Sequence, residues 1–397
     1  MASGVAFLGF RAQLIVAFTA LACWFLYDRA NTLSTFYRNS PERLSRVNTA
    51  NNYDIKFADR VRSCEDAFLI EEEGLAILAC DAGRERYNTV MGLFLPGPAA
   101  SAELFAYDYA TPDLPDADSL KKIELVGFPD DVELHTLGMD YDKETSTLFI
   151  TNHARDGPRI EKFRLDARKH VASYVDTIQH PLLQGPNSIL ALGSEELLVT
   201  NDHYFTMKQS RLLAQLETYL ALPLGTVVHV NLRGGSVDAR VAARVPFANG
   251  IEMFNSTVVA VSSTSRSSVL LYTLRSGGRL EYRSEVRLPF LPDNLSSAGG
   301  KLLIAGHAHH PTLATFSRTR HKCNDPAELA GATPEMKEHC ESATATSWVS
   351  EWSELDGLRH IYVGLEYPTS STFVRDHKRN VGTITGLYPK GVMVLEE

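Results

Sequence analysis

A chain of 397 residues with 44% hydrophobic content can bury a substantial core, which excludes a disordered protein. Its 39 lysines and arginines against 48 aspartates and glutamates give a formal charge of −9, so no basic face is available to neutralise a phosphate backbone, which argues against nucleic acid as a partner. The acidic balance is compatible with cation binding, although charge alone is read most simply as solubility.

In chain order, the first feature is an apolar run over residues 12–27, preceded by Arg11 and followed by Asp28 and Arg29. Extended back to Val5 it nears the length needed to cross a hydrocarbon core of roughly 30 Å. Residues 1–30 therefore read as an apolar helix acting as a signal anchor or as a cleaved signal peptide. No small-x-small cleavage site is evident, and the anchor is favoured. The expected localisation is the secretory pathway, with the globular part lumenal or extracellular and tied to a membrane, or secreted if the segment is removed. Residues 31–59 are polar and read as a linker, leaving 60–397 for the globular domain.

An oxidising compartment favours disulfides. Of the five cysteines, Cys23 lies in the apolar run, and Cys64, Cys80, Cys323 and Cys340 remain for the globular part. Four cysteines permit three pairings, and local spacing favours Cys64 with Cys80 and Cys323 with Cys340. The spacings fit no zinc motif. Asn255-Ser256-Thr257 is a sequon and a candidate glycosylation site.

From Cys64 onward, short apolar and β-branched runs alternate with Gly, Pro, Asn and Asp, which predicts an all-β class. Runs at 76–80, 148–153, 197–202, 258–262 and 302–307 share one form, a buried strand ending in a small or polar residue. Before each comes a polar loop that enters a shorter strand: Glu65-Asp66, His135, Asn187, Asn249 and Asp293-Asn294, with Ser370-Ser371-Thr372 as a sixth. These loops are about 45 to 77 residues apart, the span of propeller blades with variable connections, so six units predict a six-bladed β-propeller. If each polar residue holds the same place in its blade, they meet on the axis. Carboxylate and amide oxygens without cysteine suit a hard cation, which predicts a central calcium site. Taken singly, each such Asn or Asp is more simply a turn residue capping its own backbone.

Read in order, these segments resemble the serum paraoxonase/arylesterase family. The resemblance is carried by Cys64-Glu65-Asp66, His135, Asn152-His153, Pro186-Asn187, Thr-Asn-Asp-His-Tyr-Phe at 200–205, Phe-Ala-Asn-Gly at 247–250, Pro292-Asp293-Asn294 and Gly306-His307. It implies a calcium-dependent hydrolase of lactones or aryl esters, with a catalytic calcium on Glu65, Asn187, Asn249, Asp293 and Asn294. A second, structural calcium is implied at Asp66, the Leu137 carbonyl and the residue after Asn187. That residue is Ser188, a neutral and weaker ligand, which leaves the second ion open. Relatives bridge their N-terminal strand to a C-terminal cysteine. This chain ends 391–397 without one, so ring closure is expected from strand pairing. Residues 318–345 read as an insertion forming a stapled surface loop, and 210–222 as a helix lidding the site.

Under this resemblance the metal polarises the substrate carbonyl, His135 is the general base and His153 tunes it. Asp202, His203 and His307 are expected around the substrate. No Gly-x-Ser-x-Gly elbow and no phosphate-binding glycine loop is present. The competing readings are a gluconolactonase-like or strictosidine-synthase-like propeller enzyme and a non-catalytic, calcium-stabilised propeller binding module.

Overall fold

The computed structural model describes residues 2–50 and 52–396, with side chains from residue 11 onward. Six four-stranded antiparallel units follow one another around an axis. Their inner strands are Cys64–Ile70, Thr136–Asp142, Pro186–Gly193, Ala248–Asn255, Leu291–Ala298 and Ser370–Asp376. Each inner strand packs against the next, and the sixth packs against the first, so the ring is closed. This is the six-bladed propeller expected from the repeats. Blades one and two are further joined at their rims by parallel pairing of Leu120–Val126 with Val171–Ile178.

The strand next to each inner one is covered on both faces. Leu75–Cys80, Thr147–Asn152 and Val258–Ser263 are buried throughout, which is why these segments read as unbroken apolar runs rather than alternating ones. The core is correspondingly divided into six hydrophobic clusters, one between each pair of neighbouring blades. Apolar residues therefore fill the gaps between blades, and the axis is left to the inner strands' first residues.

The ring closes with a strand from the polar segment. Asn52–Lys56 pairs antiparallel with Val392–Glu396 as the outer strand of blade six, and Val47–Asn48 extends the edge of blade five. Residues 31–59 are thus not a linker. Their polar appearance follows from edge position, where one face of a strand meets solvent. Both bridges favoured by spacing form, Cys64–Cys80 and Cys323–Cys340, and Cys23 is free and exposed. Cys64 and Cys80 are register partners at the mouth of blade one.

A helix spans Ala2–Arg38. Among the described residues no helix is long and apolar enough to cross a membrane, and the extension of the apolar run to Val5 lies outside the described side chains. The helix is docked at its C-terminal end: the Arg29 guanidinium donates to the carbonyls of Ser265 and Tyr219, each at 2.9 Å, and Asn39 donates to the Pro289 carbonyl at 2.8 Å. The expected loop at 318–345 is also different. It is a run of three helices, His310–Cys323, Pro326–Ala330 and Pro334–Ser342, because Leu313 and Phe316 repeat at helical spacing and Asp325 and Thr333 cap the following turns. Leu313, Phe316, Leu387 and Tyr388 form the small core that seats this insertion on the ring. Asn255 is exposed at the end of its strand, where its side chain accepts from Thr257 and Val258 across the turn that follows.

Removal of residues 1–45 is expected to leave a cooperatively melting protein, whereas removal of 1–57 deletes the closing strand and should lower the midpoint by more than about 5 °C. Thermal denaturation followed by circular dichroism checks this, and equal midpoints would show that the strand is dispensable.

Candidate active site

Each inner strand carries one extra residue relative to its neighbour, and the irregularity falls at the same place in all six blades. It lies at Glu65, at Leu137–Gly138, at 187–188, at 249–250, at Asp293–Asn294 and at Ser371. Such a bulge leaves the extra residue unpaired and re-aims its side chain. Three of the residues that precede the strands, Ser63, Phe247 and Thr369, adopt left-handed backbone conformations with φ of 56°, 46° and 57°. At Gly250 a Cβ would stand 2.6 Å from the Asn294 Cα, so neighbouring inner strands approach too closely there for any side chain. The axial position is therefore set by blade geometry, and four of the six blades place a carboxylate or amide at it. In blade two the residue at that register is Leu137; His135 lies two residues earlier, outside the repeat position.

Glu65, Asn187, Asn249 and Asp293 line the inner end of one cavity of about 140 Å³, together with Leu137, His203 and His307. All are buried. Glu65 Oε2, Asn187 Oδ1, Asn249 Oδ1 and Asn294 Oδ1 have no donor among the described residues. The orientation of two amides is fixed by their partners. Thr264 spends its hydroxyl proton on the Pro292 carbonyl at 2.7 Å, so it can only accept from Asn249 Nδ2 at 3.1 Å. Thr372 likewise donates to the Glu65 carbonyl at 2.8 Å and accepts from Asn294 Nδ2 at 3.0 Å. Asn294 Nδ2 also donates to Glu65 Oε1 at 3.0 Å. The amide nitrogens are thus tied to the walls and the oxygens left over.

A set of orphaned, exclusively oxygen acceptors fits a hard cation. Burial pushes the Glu65 carboxyl well above its ordinary range, against the pull of Arg84 and with the added repulsion of Asp293 and Asp66. Among the described residues no three His, Cys, Asp or Glu side chains cluster as a metal site; the axial set is built mainly of amides. Asp66 differs. Its Oδ2 accepts from Met139 N at 2.8 Å and its Oδ1 from Ala67 N at 2.9 Å, so neither oxygen is orphaned, and with Thr372 Oγ1 3.1 Å from Oδ1 it lies where blades one, two and six meet. Burial raises its pKa to about 7.

The histidines divide differently from the expectation. His135 does not line the main cavity. It sits in a small adjoining pocket with Asp81, Arg84, Tyr87 and His153, where its Nδ1 is 3.3 Å from Asp81 Oδ2 and its Nε2 is 3.3 Å from Glu133 Oε2. Both ring nitrogens thus face carboxylates. His153 is held between the Thr89 hydroxyl and the Pro186 carbonyl, each at 2.6 Å, and burial lowers its pKa. The two are neighbours through the His153 N to His135 O bond of 2.9 Å. His307 is the histidine beside the axial oxygens: its Nε2 is 3.0 Å from Asp293 Oδ2, while Nδ1 has no partner among the described residues. His203 also lines the cavity. Burial works against its imidazolium, but the Asp202 carboxylate beside it raises its pKa overall, and its Nε2 meets the Thr218 hydroxyl at 2.7 Å. Asp202 supports His203 from behind and opens on a side pocket.

The outer end of the cavity is roofed by three helices distant in sequence, the N-terminal one, Arg211–Leu220 and His310–Cys323. They meet at an aromatic trio in which Phe36 and Tyr219 are 6.2 Å apart, Phe36 and His310 5.9 Å, and Tyr219 and His310 6.3 Å. The lid expected at 210–222 is therefore present, capped by Ser210, but shares its work with two elements not anticipated. Arg84, a buried arginine on the cavity wall, was also not anticipated. Its only sequence signal is a Gly-Arg step just beyond an apolar strand.

The family model described as Arylesterase matches residues 90–327, more than half of the chain. Serum paraoxonase/arylesterase 2 of Bos taurus is 29% identical over 176 residues, 44% of this chain and 48% of that protein. The Canis lupus familiaris protein of the same name is 26% identical over 245 residues, 61% of this chain and 63% of that one. Serum paraoxonase/lactonase 3 of Oryctolagus cuniculus is 29% identical over 46% of this chain and 51% of its own length. The matched region thus spans about half to three-fifths of these relatives. A solved structure carrying the provisional name gluconolactonase superposes with a TM-score of 0.50 at 15% identity, covering 90% of this chain and 95% of its own, which shows a shared fold. On the match of its family model, whose span includes His135, Asn187, Asn249 and Asp293, the chain belongs to the arylesterase family.

Proposed function

We propose that the protein is a calcium-dependent hydrolase of lactones or aryl esters, and the observation that carries this reading is the set of buried oxygens without donors at the end of the roofed cavity. Glu65, Asn187, Asn249 and Asp293 would hold the ion, with Asn294 positioning Glu65. Calcium bound there supplies a Lewis acid for the carbonyl oxygen of the substrate. His307 supplies the base. Its Nε2–H donates to Asp293, which leaves the Nδ1 lone pair to take a proton from water. The aromatic trio and the apolar roof keep bulk water from the reacting carbonyl. His135 and His153, tied to carboxylates and a carbonyl, hold the wall behind Arg84 in place. The relatives' names, which include arylesterase and lactonase, support the substrate class.

The proposal extends to membrane attachment. Leu14, Val16, Leu21, Trp24 and Leu26 of the N-terminal helix and Leu212 and Leu216 of the lid helix are exposed, a set of apolar side chains suited to a lipid surface in the secretory pathway. Flotation with neutral vesicles is expected for the full chain and lost when residues 1–28 are removed; flotation of both forms would sink the idea.

Calcium binding should depend on pH. Glu65 and Asp66 have folded-state pKa values above their unfolded ones, so their contribution to the stability of the metal-free fold is fully present below about pH 4 and is lost as pH rises, through about 7 for Asp66. A cation favours the ionised forms and removes that loss. The rise in melting temperature from excess EGTA to excess calcium is expected to exceed about 5 °C at pH 8 and to be smaller at pH 5.5. No rise at either pH removes the metal from the proposal.

Turnover separates the histidines. His307→Gln should lower kcat on an unactivated lactone by a factor on the order of 10² to 10⁴ with calcium binding by calorimetry largely retained, and His135→Gln should do less. A larger loss in His135→Gln returns the base to that residue. If the parent binds calcium but hydrolyses no lactone or aryl ester of a broad panel, the chain is better read as a calcium-stabilised binding module.

A further inference from the structure

Arg84 is among the largest fully buried side chains in the protein, and it lines the cavity beside Glu65. Its backbone has little freedom. It follows strand Leu75–Cys80, whose last residue is disulfide-bonded to Cys64, and its N–H donates to Asp81 Oδ1 at 3.1 Å. The preceding Gly83 has no room for a side chain, since a Cβ would lie 2.0 Å from the Ala100 carbonyl oxygen. The turn therefore delivers one particular side chain to one particular place.

A guanidinium carries five N–H donors and stays charged in proteins. Among the described residues it has one acceptor, the carbonyl of Thr136, and Nε has none. Leaving such a group buried with one neutral partner costs far more than a surface arginine would. Charge counting sharpens the point. Among the described residues the guanidinium makes no ion pair: Glu65 and Asp293 belong to the axial set, and the buried Asp81 accepts from the Arg84 backbone N–H with one oxygen and faces His135 with the other. Val90, Met91, Leu137, Phe247, Leu291 and Leu387 give the wall an apolar portion, and the remainder is amides, hydroxyls, histidines and a second cation, Arg318, with no further carboxylate. An anion arriving with a ligand would supply the partner that the wall lacks.

Taking the cavity as the hydrolytic site proposed above, we infer that Arg84 receives a carboxylate carried by the substrate, so that the site selects lactones or esters bearing a free acid group beside an apolar portion. Arginine suits this role because its planar fork matches a carboxylate with two parallel hydrogen bonds, which a lysine does not reproduce.

The test uses the calcium-loaded parent, Arg84→Gln and Arg84→Lys. In the binding arm, phenylacetate and its neutral amide, phenylacetamide, are titrated by calorimetry. Phenylacetate is expected to bind the parent, to lose about tenfold or more in affinity in Arg84→Gln, and to be intermediate in Arg84→Lys, while phenylacetamide shows no such order. In the kinetic arm, the monophenyl ester of glutaric acid is compared with phenyl pentanoate. The ratio of their kcat/KM values should fall about tenfold or more in Arg84→Gln, mainly through KM of the acid. Equal phenylacetate affinity in parent and Arg84→Gln overturns the inference, and so does an equal loss of kcat on both esters, which would assign Arg84 to the developing oxyanion instead. Should Arg84→Gln fail to fold, Arg84→Lys carries the same comparison: the parental ester ratio in that variant refutes the fork. Arg84-dependent phenylacetate binding in a parent that hydrolyses neither ester would uphold the anion site while removing the hydrolase reading.

Discussion

The convergence of six inner strands on one axis constrains everything else in this protein. Blade faces are apolar and are consumed by the six clusters between neighbouring blades. Polar side chains at the strand starts then have only the axis to occupy, and the bulge in every inner strand turns them there. A buried acceptor without a partner costs about 1–3 kcal/mol. Four of them on one axis would take a sizeable share of a folding stability of about 5–15 kcal/mol. A bound cation turns that liability into a site, and the same convergence that concentrates the cost concentrates the ligands.

Around this axis, hydrogen-bond capacity decides which side chains can act. Asn249 and Asn294 are oriented by threonine hydroxyls that have already committed their protons, so the amide oxygens are the groups left over. His135 and His307 are both buried histidines beside carboxylates, yet they differ in what remains free. His135 has a carboxylate at each ring nitrogen, whereas His307 has one at Nε2 and nothing at Nδ1. Sequence position favours the first and geometry the second.

The roof shows how an insertion becomes part of a site. The three helices of 310–342 are seated by a small core of their own and stapled by Cys323–Cys340. Asn324 donates to Glu85 at 2.7 Å, which links the insertion to the turn that carries Arg84. Wall and roof are thus coupled through Glu85, which also accepts from Arg62 at 2.9 Å. The N-terminal helix completes the enclosure through Phe36, so a segment that reads as a targeting element also contributes to the cavity.

Much was legible in the sequence because it is written locally and repeated. Strands buried on both faces appear as apolar runs, six polar loops at blade spacing announce the propeller, and the recurrence of Glu65, Asn187, Asn249 and Asp293 ahead of strands brings them to one axis. Both disulfides follow from short spacing, which makes each pair neighbours in any compact arrangement. Other features were not legible, because they depend on contacts between segments far apart. Strand 52–56 looks like a linker until the last strand lies beside it, and His135 looks axial until the register shows Leu137 in that place. By itself the sequence determined the all-β class, the number of blades and the oxygen-rich axis, since periodicity and repeated chemistry need no knowledge of partners. Only the tertiary structure decided which histidine keeps a free lone pair, which helices roof the cavity and that Arg84 stands buried at its wall, because each depends on what long-range packing leaves unpaired.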